Sequence, residues 1–312
     1  MITDNDPAGM AIAFTKAINA CTDHRCRLIS SEERYGFDYE TDIHIPDIKN
    51  NDFSEVEEVL SSSDIIHFHM LRDENSFLGP LLIKDYAAGK KILHHHHGHP
   101  VFRSDPEHFR EKYHKLRRRA IVSTPDLLKL LPESVWVPNM VPLNDQGHTP
   151  LEPSADDSVR ICQAPTRKDL KNTDEFICVT QRLKEKYPHI ESLVIERIVH
   201  RECLEIKRSC HIHFDHMQGY FGVSSLESLS QGKPVIAGID DWCMAHIKAF
   251  TGSDKLPWVI ARDEDALQSR MEHLIVDHDF REQCGHAGRA FMTTTWNEHQ
   301  VIRRLLDVYE SL

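Results

Sequence analysis

The sequence predicts an α/β protein of two doubly wound domains facing one another across a cleft. Short apolar runs alternate with longer helix-period stretches along the chain, the pattern of parallel sheets covered by helices on both faces. The length, 312 residues, suffices for two domains of ordinary size. Near the middle, MVPLNDQGHTPLEPSADDS (140–158) is rich in Pro, Asp, Ser and Gly and has no apolar period, as expected of a linker. The expected domains are therefore 1–143 and 144–312, with the last helix crossing back toward the first. Ligands of such sheets bind at the carboxyl ends of the strands.

In the first half the strand-like runs are CRLIS (26–30), DIIHFHM (64–70), KKILHHHH (90–97), AIVST (120–124) and VWVPN (135–139). Helical patterns fill 8–21, 54–62 and 104–119. In the last of these, Ser104 and Glu107 have capping-box spacing and Pro106 falls in the first turn. Phe109, Tyr113, Leu116 and Ala120 then recur at helical spacing and make one buried stripe. The second half supplies strands VRICQA (159–164), ESLVIE (191–196), CHIHF (210–214), KPVIAG (233–238) and WVIA (258–261). Helices are expected at 173–187, 201–209, 223–231, 263–277 and 297–311, with Gly232 ending the third.

Composition narrows the function. The chain carries 49 acidic against 37 basic residues, a formal charge of −12. Such a surface repels phosphate backbones, so nucleic acid is not an expected partner. Eight scattered cysteines without a CxxC pair or even framework read as reduced thiols of a cytoplasmic protein. MITDNDPAGMAIAF lacks a basic segment followed by a long apolar core, so no signal peptide is expected. No run approaches the length of a membrane span.

The stretch GYFGVSSLESLSQGKPVIAG (219–238) carries the most chemistry. CHIHF reads as a buried strand, GYFG as a tight turn and VSSLESLSQG as a helix. Backbone N–H groups at Gly222, Val223 and Ser224 would form an anion site at that helix N-terminus. Glu227, one turn deeper, suits a vicinal diol such as a ribose, whose hydroxyls donate to a carboxylate. A nucleoside diphosphate fits the pair; a structural helix-dipole glutamate on a βαβ turn fits it as well. In QAPTRKDLKNTDEF (163–176) a strand ends and a loop carries Arg167, Lys168 and Lys171 before a helix begins. Cations placed there would neutralise a diphosphate leaving group, or form a solvated basic loop.

Together, APTRKDLKNTDEF, GYFGVSSLESLSQGKPVIA and the tail HAGRAFMTTTWNEHQVIRRLLDVYESL resemble the nucleotide-binding half of the family 4 (group 1) glycosyltransferases of GT-B architecture. The likeness covers about residues 60–312 and is specific over 160–240. It implies two Rossmann-like domains, an N-terminal acceptor side and a C-terminal donor side. It also implies that Arg167 and Lys171 bind the donor diphosphate and that Glu227 holds the donor ribose. Two positions depart from the family pattern. The first glutamate of its paired motif falls at Gly219, and Asp215, four residues earlier, is the candidate substitute for its contacts on the transferred sugar. The glycine that usually follows the loop lysine is Asn172.

The run ILHHHHGHPVFR (92–103) invites a metal reading. Alternate side chains of a strand point to opposite faces, so at most two of its four consecutive histidines converge, and no metal is expected. The resemblance instead maps His97 and Gly98 onto the acceptor side, facing the donor sugar and its phosphate, with Arg103 nearby. It also brings a loop containing Gly9 toward the donor phosphates, although Gly9 serves equally as a plain helix start. His69 and Arg72, at the end of DIIHFHM, are placed on the acceptor side. The basic face of helix 104–119, formed by Arg110, Lys112, Lys115, Arg117, Arg118 and Arg119, is read as solvated, with at most peripheral membrane contact.

The resemblance implies a retaining, metal-independent transfer of a sugar from a UDP-, GDP- or ADP-sugar to a hydroxyl of a glycan or lipid-linked acceptor. The nucleotide sugar is a co-substrate, and no cofactor is expected. A sugar-nucleotide epimerase or phosphorylase would use the same architecture. The Gly219 departure also admits an inactive nucleotide-sugar-binding scaffold, and a His-rich metal-binding module would require metal-dependent melting.

Overall fold

The computed structural model describes residues 1–32, 38–151 and 158–312; positions 152–157 of the expected linker lie outside them. The chain forms two compact units, Met1–Met140 with Glu298–Leu312, and Val141–Asn297. Against the expected 1–143 and 144–312, residues 141–143 and 298–312 change sides.

In the first unit the strands are β1 (Ile2–Thr3), β2 (Ile29–Ser30), β3 (Ile43–His44), β4 (Ile65–His69), the hairpin β5 (Phe77–Leu78) and β6 (Leu81–Leu82), β7 (Lys91–His96), β8 (Arg119–Val122) and β9 (Val135–Trp136). Among the described residues, seven pair in the order β3-β2-β1-β4-β7-β8-β9, all in parallel. Strands β4 and β7 lie at the centre and are buried on both faces, as parallel strands covered by helices must be. Ile2, Ile29, Ile66, Phe68 and Ile92 form part of one core with Val56 and Leu60 of helix Ser54–Ser62. The last helix, Glu298–Glu310, packs on Met10–Cys21 and buries Val301, Ile302, Leu305 and Val308, one stripe at helical period.

The expected helix 104–119 is divided. A short helix, Pro100–Ser104, precedes Pro106–Leu116. The N-cap is Asp105, whose side chain accepts from the His108 N–H, so Ser104 and Glu107 form no capping box. Its basic face is partly neutralised, since Lys112 pairs with Asp73 and Arg118 with Glu74.

The second unit contains β10 (Val159–Gln163), β11 (Ile190–Val194), β12 (Ile212–Phe214), β13 (Val235–Ala237) and β14 (Val259–Ile260). They pair in parallel in the order β11-β10-β12-β13-β14. Helices Asp241–Thr251 and His278–Thr294 add to those expected. The second carries two interior glycines, which normally weaken a helix, but a Cβ on Gly285 would lie 2.2 Å from the Gly232 carbonyl oxygen and one on Gly288 2.8 Å from Leu229. These glycines let it approach closely and brace helix Val223–Ser230. Among the described residues no helix is long and apolar enough to cross a membrane, and all eight cysteines are free thiols.

Candidate functional site

In the second sheet, β11 lies on one side of β10 and β12 on the other. The carboxyl ends of β10 and β12 therefore flank the point where the winding reverses, the ligand crevice of open α/β sheets. The loops that leave these two ends are tied together. Gln163, at the end of β10, donates its side-chain amide to the carbonyls of Lys171 (2.6 Å) and Asp215 (3.1 Å). Lys171 Nζ reaches Asp215 Oδ1 at 3.3 Å. The Gly222 N–H and the Ser225 hydroxyl both donate to Asp215 Oδ2, at 2.6 and 2.7 Å.

Asp215 thus holds the turn that opens helix Val223–Ser230. It is only 3% exposed. Burial by itself would raise its pKa, but His216, Lys171 and the Gly222 N–H outweigh that and hold the carboxyl well below the usual carboxylate range. Two expectations are corrected here. Asp215 faces inward and is engaged by the loop, so it does not offer a free carboxylate to a sugar. The Gly222 N–H is satisfied by Asp215, which removes it from the anion site expected at Gly222, Val223 and Ser224. A Cβ at Gly222 would stand 3.0 Å from Lys171 Nζ and 3.1 Å from Asp215 Oδ1, so a larger residue would push on that pair.

Glu227 lies one turn into the same helix and is 6% exposed. His200 Nε2 meets its Oε1 at 2.7 Å, and Lys207 Nζ donates to its Oε2 at 2.6 Å. Lys207 also donates to the carbonyl and hydroxyl oxygens of Ser224, at 2.8 and 2.9 Å. Burial pushes the Glu227 pKa up, and the Lys207 ammonium with the His200 hydrogen bond pulls it further down, so the group is an anion. Both oxygens already serve protein donors. Each keeps a second lone pair for a hydroxyl donor. His200 and Lys207 were missed from sequence; both lie on helix His200–Ser209, seven residues and two turns apart, hence on one face.

The basic loop is less concentrated than expected. Arg167 is exposed and forks onto Asp169, and Lys168 pairs with Glu196. Lys171 reaches the strand-end network. Asn172 sits at φ 53°, a left-handed position that asparagine tolerates where the family uses glycine. Its side chain accepts from the Met217 N–H at 2.8 Å and from Gln218 at 3.0 Å. Gly219 has φ +86°, donates to the Gly238 carbonyl and accepts from the Asp240 N–H. A glutamate, or any residue with a Cβ, would be strained in that conformation.

The first unit has the same kind of reversal, between β1 and β4. Arg72 crosses it to Asp4 and the Ser31 hydroxyl and is committed to loop structure. Gly9, at φ +62°, precedes helix Met10–Cys21. The Ala11 and Ile12 amides of that helix donate to Asp6 at 2.7 and 2.8 Å, so an internal carboxylate occupies the place expected for a phosphate. Burial pushes the Asp6 pKa up to about 6. Arg103 turns back onto the Gly98 carbonyl (3.2 Å) and Asp126 (2.7 Å).

His69 is 1% exposed, which corrects its placement on an acceptor surface. His97 is partly buried, with its Nε2 3.0 Å from His69 Nδ1. The strand run divides as expected, His95 and His97 on one face, His94 and His96 on the other, where His96 meets the Tyr113 hydroxyl at 2.6 Å. What the run alone does not reveal is that β4 brings His67 and His69 beside His95.

No family model matches the chain, and no curated protein matches it. Solved structures do. A glycosyltransferase from Rickettsia africae aligns at TM-score 0.63 and 14% identity, over 99% of this chain and 97% of that one. Anabaena HepE, solved with UDP and glucose, aligns at 0.66 and 10% identity over 100% and 99% of the two chains. Sucrose-phosphate synthase from Thermosynechococcus elongatus aligns at 0.56 and 13%, over 96% and 91%. At such identities the likeness speaks for the fold, and the chain has the GT-B fold, with two Rossmann-like α/β units.

Proposed function

We propose that the protein is a glycosyltransferase that uses a nucleoside-diphosphate sugar. One observation carries this reading. At the winding reversal of the second sheet, the lysine of a basic loop meets the glycine turn of a helix N-terminus, with an ionised glutamate one turn behind it. Cation and helix amides together suit a diphosphate, and the anion behind them suits ribose hydroxyls.

Lys171, joined by Arg167, takes the charge that grows on the diphosphate as the bond from the sugar C1 to the phosphate oxygen breaks. The acceptor hydroxyl oxygen forms the new bond to C1, and its proton passes to the departing phosphate oxygen. That route retains configuration and requires neither a dedicated base nor a divalent ion. Glu227 orients the nucleoside, and His97 and Gly98 belong to the acceptor-side unit. HepE holds UDP and glucose, so UDP is the first nucleotide to test; the acceptor is a glycan or lipid-linked glycan precursor.

A second reading, an inactive nucleotide-sugar-binding protein, is favoured by the inward Asp215 and the left-handed Gly219, which leave the transferred sugar without the family's first carboxylate. The test is a thermal-shift panel of UDP, GDP and ADP without metal, followed by turnover assays with the matching sugar donors. The expected result is stabilisation by one nucleoside diphosphate, of about 2.7 kcal/mol at roughly 100 times its Kd, lost in Lys171→Ala. Binding without turnover establishes the second reading, and no shift with any nucleotide overturns both.

A further inference from the structure

Strands β4 and β7 run parallel with His69 opposite His95 and His67 opposite Leu93. His67 and His69 are two residues apart on one strand, and His95 and His97 on the other, so all four imidazoles lie on the same face of the sheet. The rings form one group. His67 and His69 stack at 4.5 Å between centroids, His69 and His95 stand 4.9 Å apart, and His95 and His97 4.0 Å. Phe14 and Tyr309 close over them.

Their hydrogen bonding is incomplete in a directed way. His67 Nδ1 lies 2.7 Å from the Tyr309 hydroxyl and His69 Nδ1 3.0 Å from His97 Nε2. The opposite nitrogens, His67 Nε2 and His69 Nε2, have no partner among the described residues, and neither has either nitrogen of His95. His67, His69 and His95 are 2%, 1% and 0% exposed. Buried ring nitrogens seldom go unpaired. Here one ligating nitrogen from each of these rings falls within 4.8 Å of the others.

We propose that His67, His69 and His95 bind a divalent first-row transition-metal ion, with zinc as the reference ion. Imidazole suits this class, and the rings must close in by small rotations to reach nitrogen–metal distances of about 2.0–2.1 Å. The outer contacts match those that orient ligating histidines. With Nδ1–H of His67 donating to Tyr309, and Nδ1–H of His69 donating to His97, both Nε2 atoms are left as lone-pair ligands. The three ligands bring no negative charge and fill three positions of a tetrahedral set. The site lies in the first unit, and its occupancy stabilises that unit independently of the glycosyl-transfer reading.

The experiment uses the full chain, stripped with chelator and then supplied with zinc or cobalt(II), both folded and during refolding from denaturant. The expected result is a single ion per chain retained through desalting, tetrahedral d–d absorption in the cobalt form, and a higher Tm. His95→Ala and His69→Ala abolish uptake, and Tyr309→Phe weakens it by roughly 10–100-fold, while the exposed His286→Ala changes nothing. Failure of the wild-type chain to take up either ion under both loading conditions overturns the proposal, whatever the variants do. Uptake that survives His69→Ala and His95→Ala overturns it equally, since the ion would then sit elsewhere.

Discussion

Lys207 and Glu227 form an ion pair at 2.6 Å in which neither partner reaches solvent appreciably. The lysine comes from the helix after β11 and the glutamate from the helix after β12. The contact fixes the spacing of the two helices that flank the candidate nucleotide site.

Breaking that pair from one side should be costly. Lys207→Met leaves a buried anion without its ammonium partner, and removing one partner of a buried pair costs about 3–5 kcal/mol. A urea melt should show this loss. Replacing both, Lys207→Met with Glu227→Leu, should recover a large part of it. A double variant as unstable as the sum of the two single changes would mean that the two side chains do not act as a pair.

Placing at Gly219 the glutamate of the glycosyltransferase motif that the sequence resembles should not help. Gly219→Glu forces a left-handed backbone on a residue with a Cβ, at a cost of about 1–2 kcal/mol, and sets that Cβ 3.3 Å from the Asp240 carboxylate. Lower stability and no gain in turnover or nucleotide affinity are expected. A variant as stable as the parent with higher turnover would show that the loop adopts the family's conformation.

Acid should destabilise the fold well before ordinary carboxylates titrate. Burial pushes His94 and His213 down to about 3 and His97 and His148 down to about 4, and lowers His67, His69, His95 and His96 as well. Between those values and about 6.5, the unfolded chain binds protons that the native chain refuses, so stability rises with pH and falls on acidification. Each such histidine contributes a slope of up to about 1.4 kcal/mol per pH unit. Asp215 and Glu227, depressed in the native state, add to the loss at lower pH. Melting temperatures measured from pH 8 to pH 5 should be flat at first and then drop steeply below about 6.5. A curve level down to pH 5 would refute the burial of neutral imidazoles.

The division into two α/β halves was legible because alternation and linker composition are local signals. So was the turn 219–222 with its helix, since Gly and Ser spacing alone marks a helix start. The partners of Glu227 were not, because a lysine with no exposed surface contradicts the ordinary behaviour of lysine and is recognised only once helix 200–209 is set against helix 223–230. The inward turn of Asp215 depends in the same way on the tie between β10 and β12. The histidine cluster eluded a reading along one strand because His67 and His95 are 28 residues apart, and only the pairing register of β4 with β7 makes them neighbours.

Helix Glu298–Glu310 belongs to the first unit although the whole second unit separates it from Met140. Without that helix the first unit lacks the cover of Met10–Cys21 and the ring of Tyr309. The second unit is contiguous in sequence and closes on itself, whereas the first is closed only by a segment from beyond it. The buried histidines are enclosed only once this helix docks and brings Tyr309 over them.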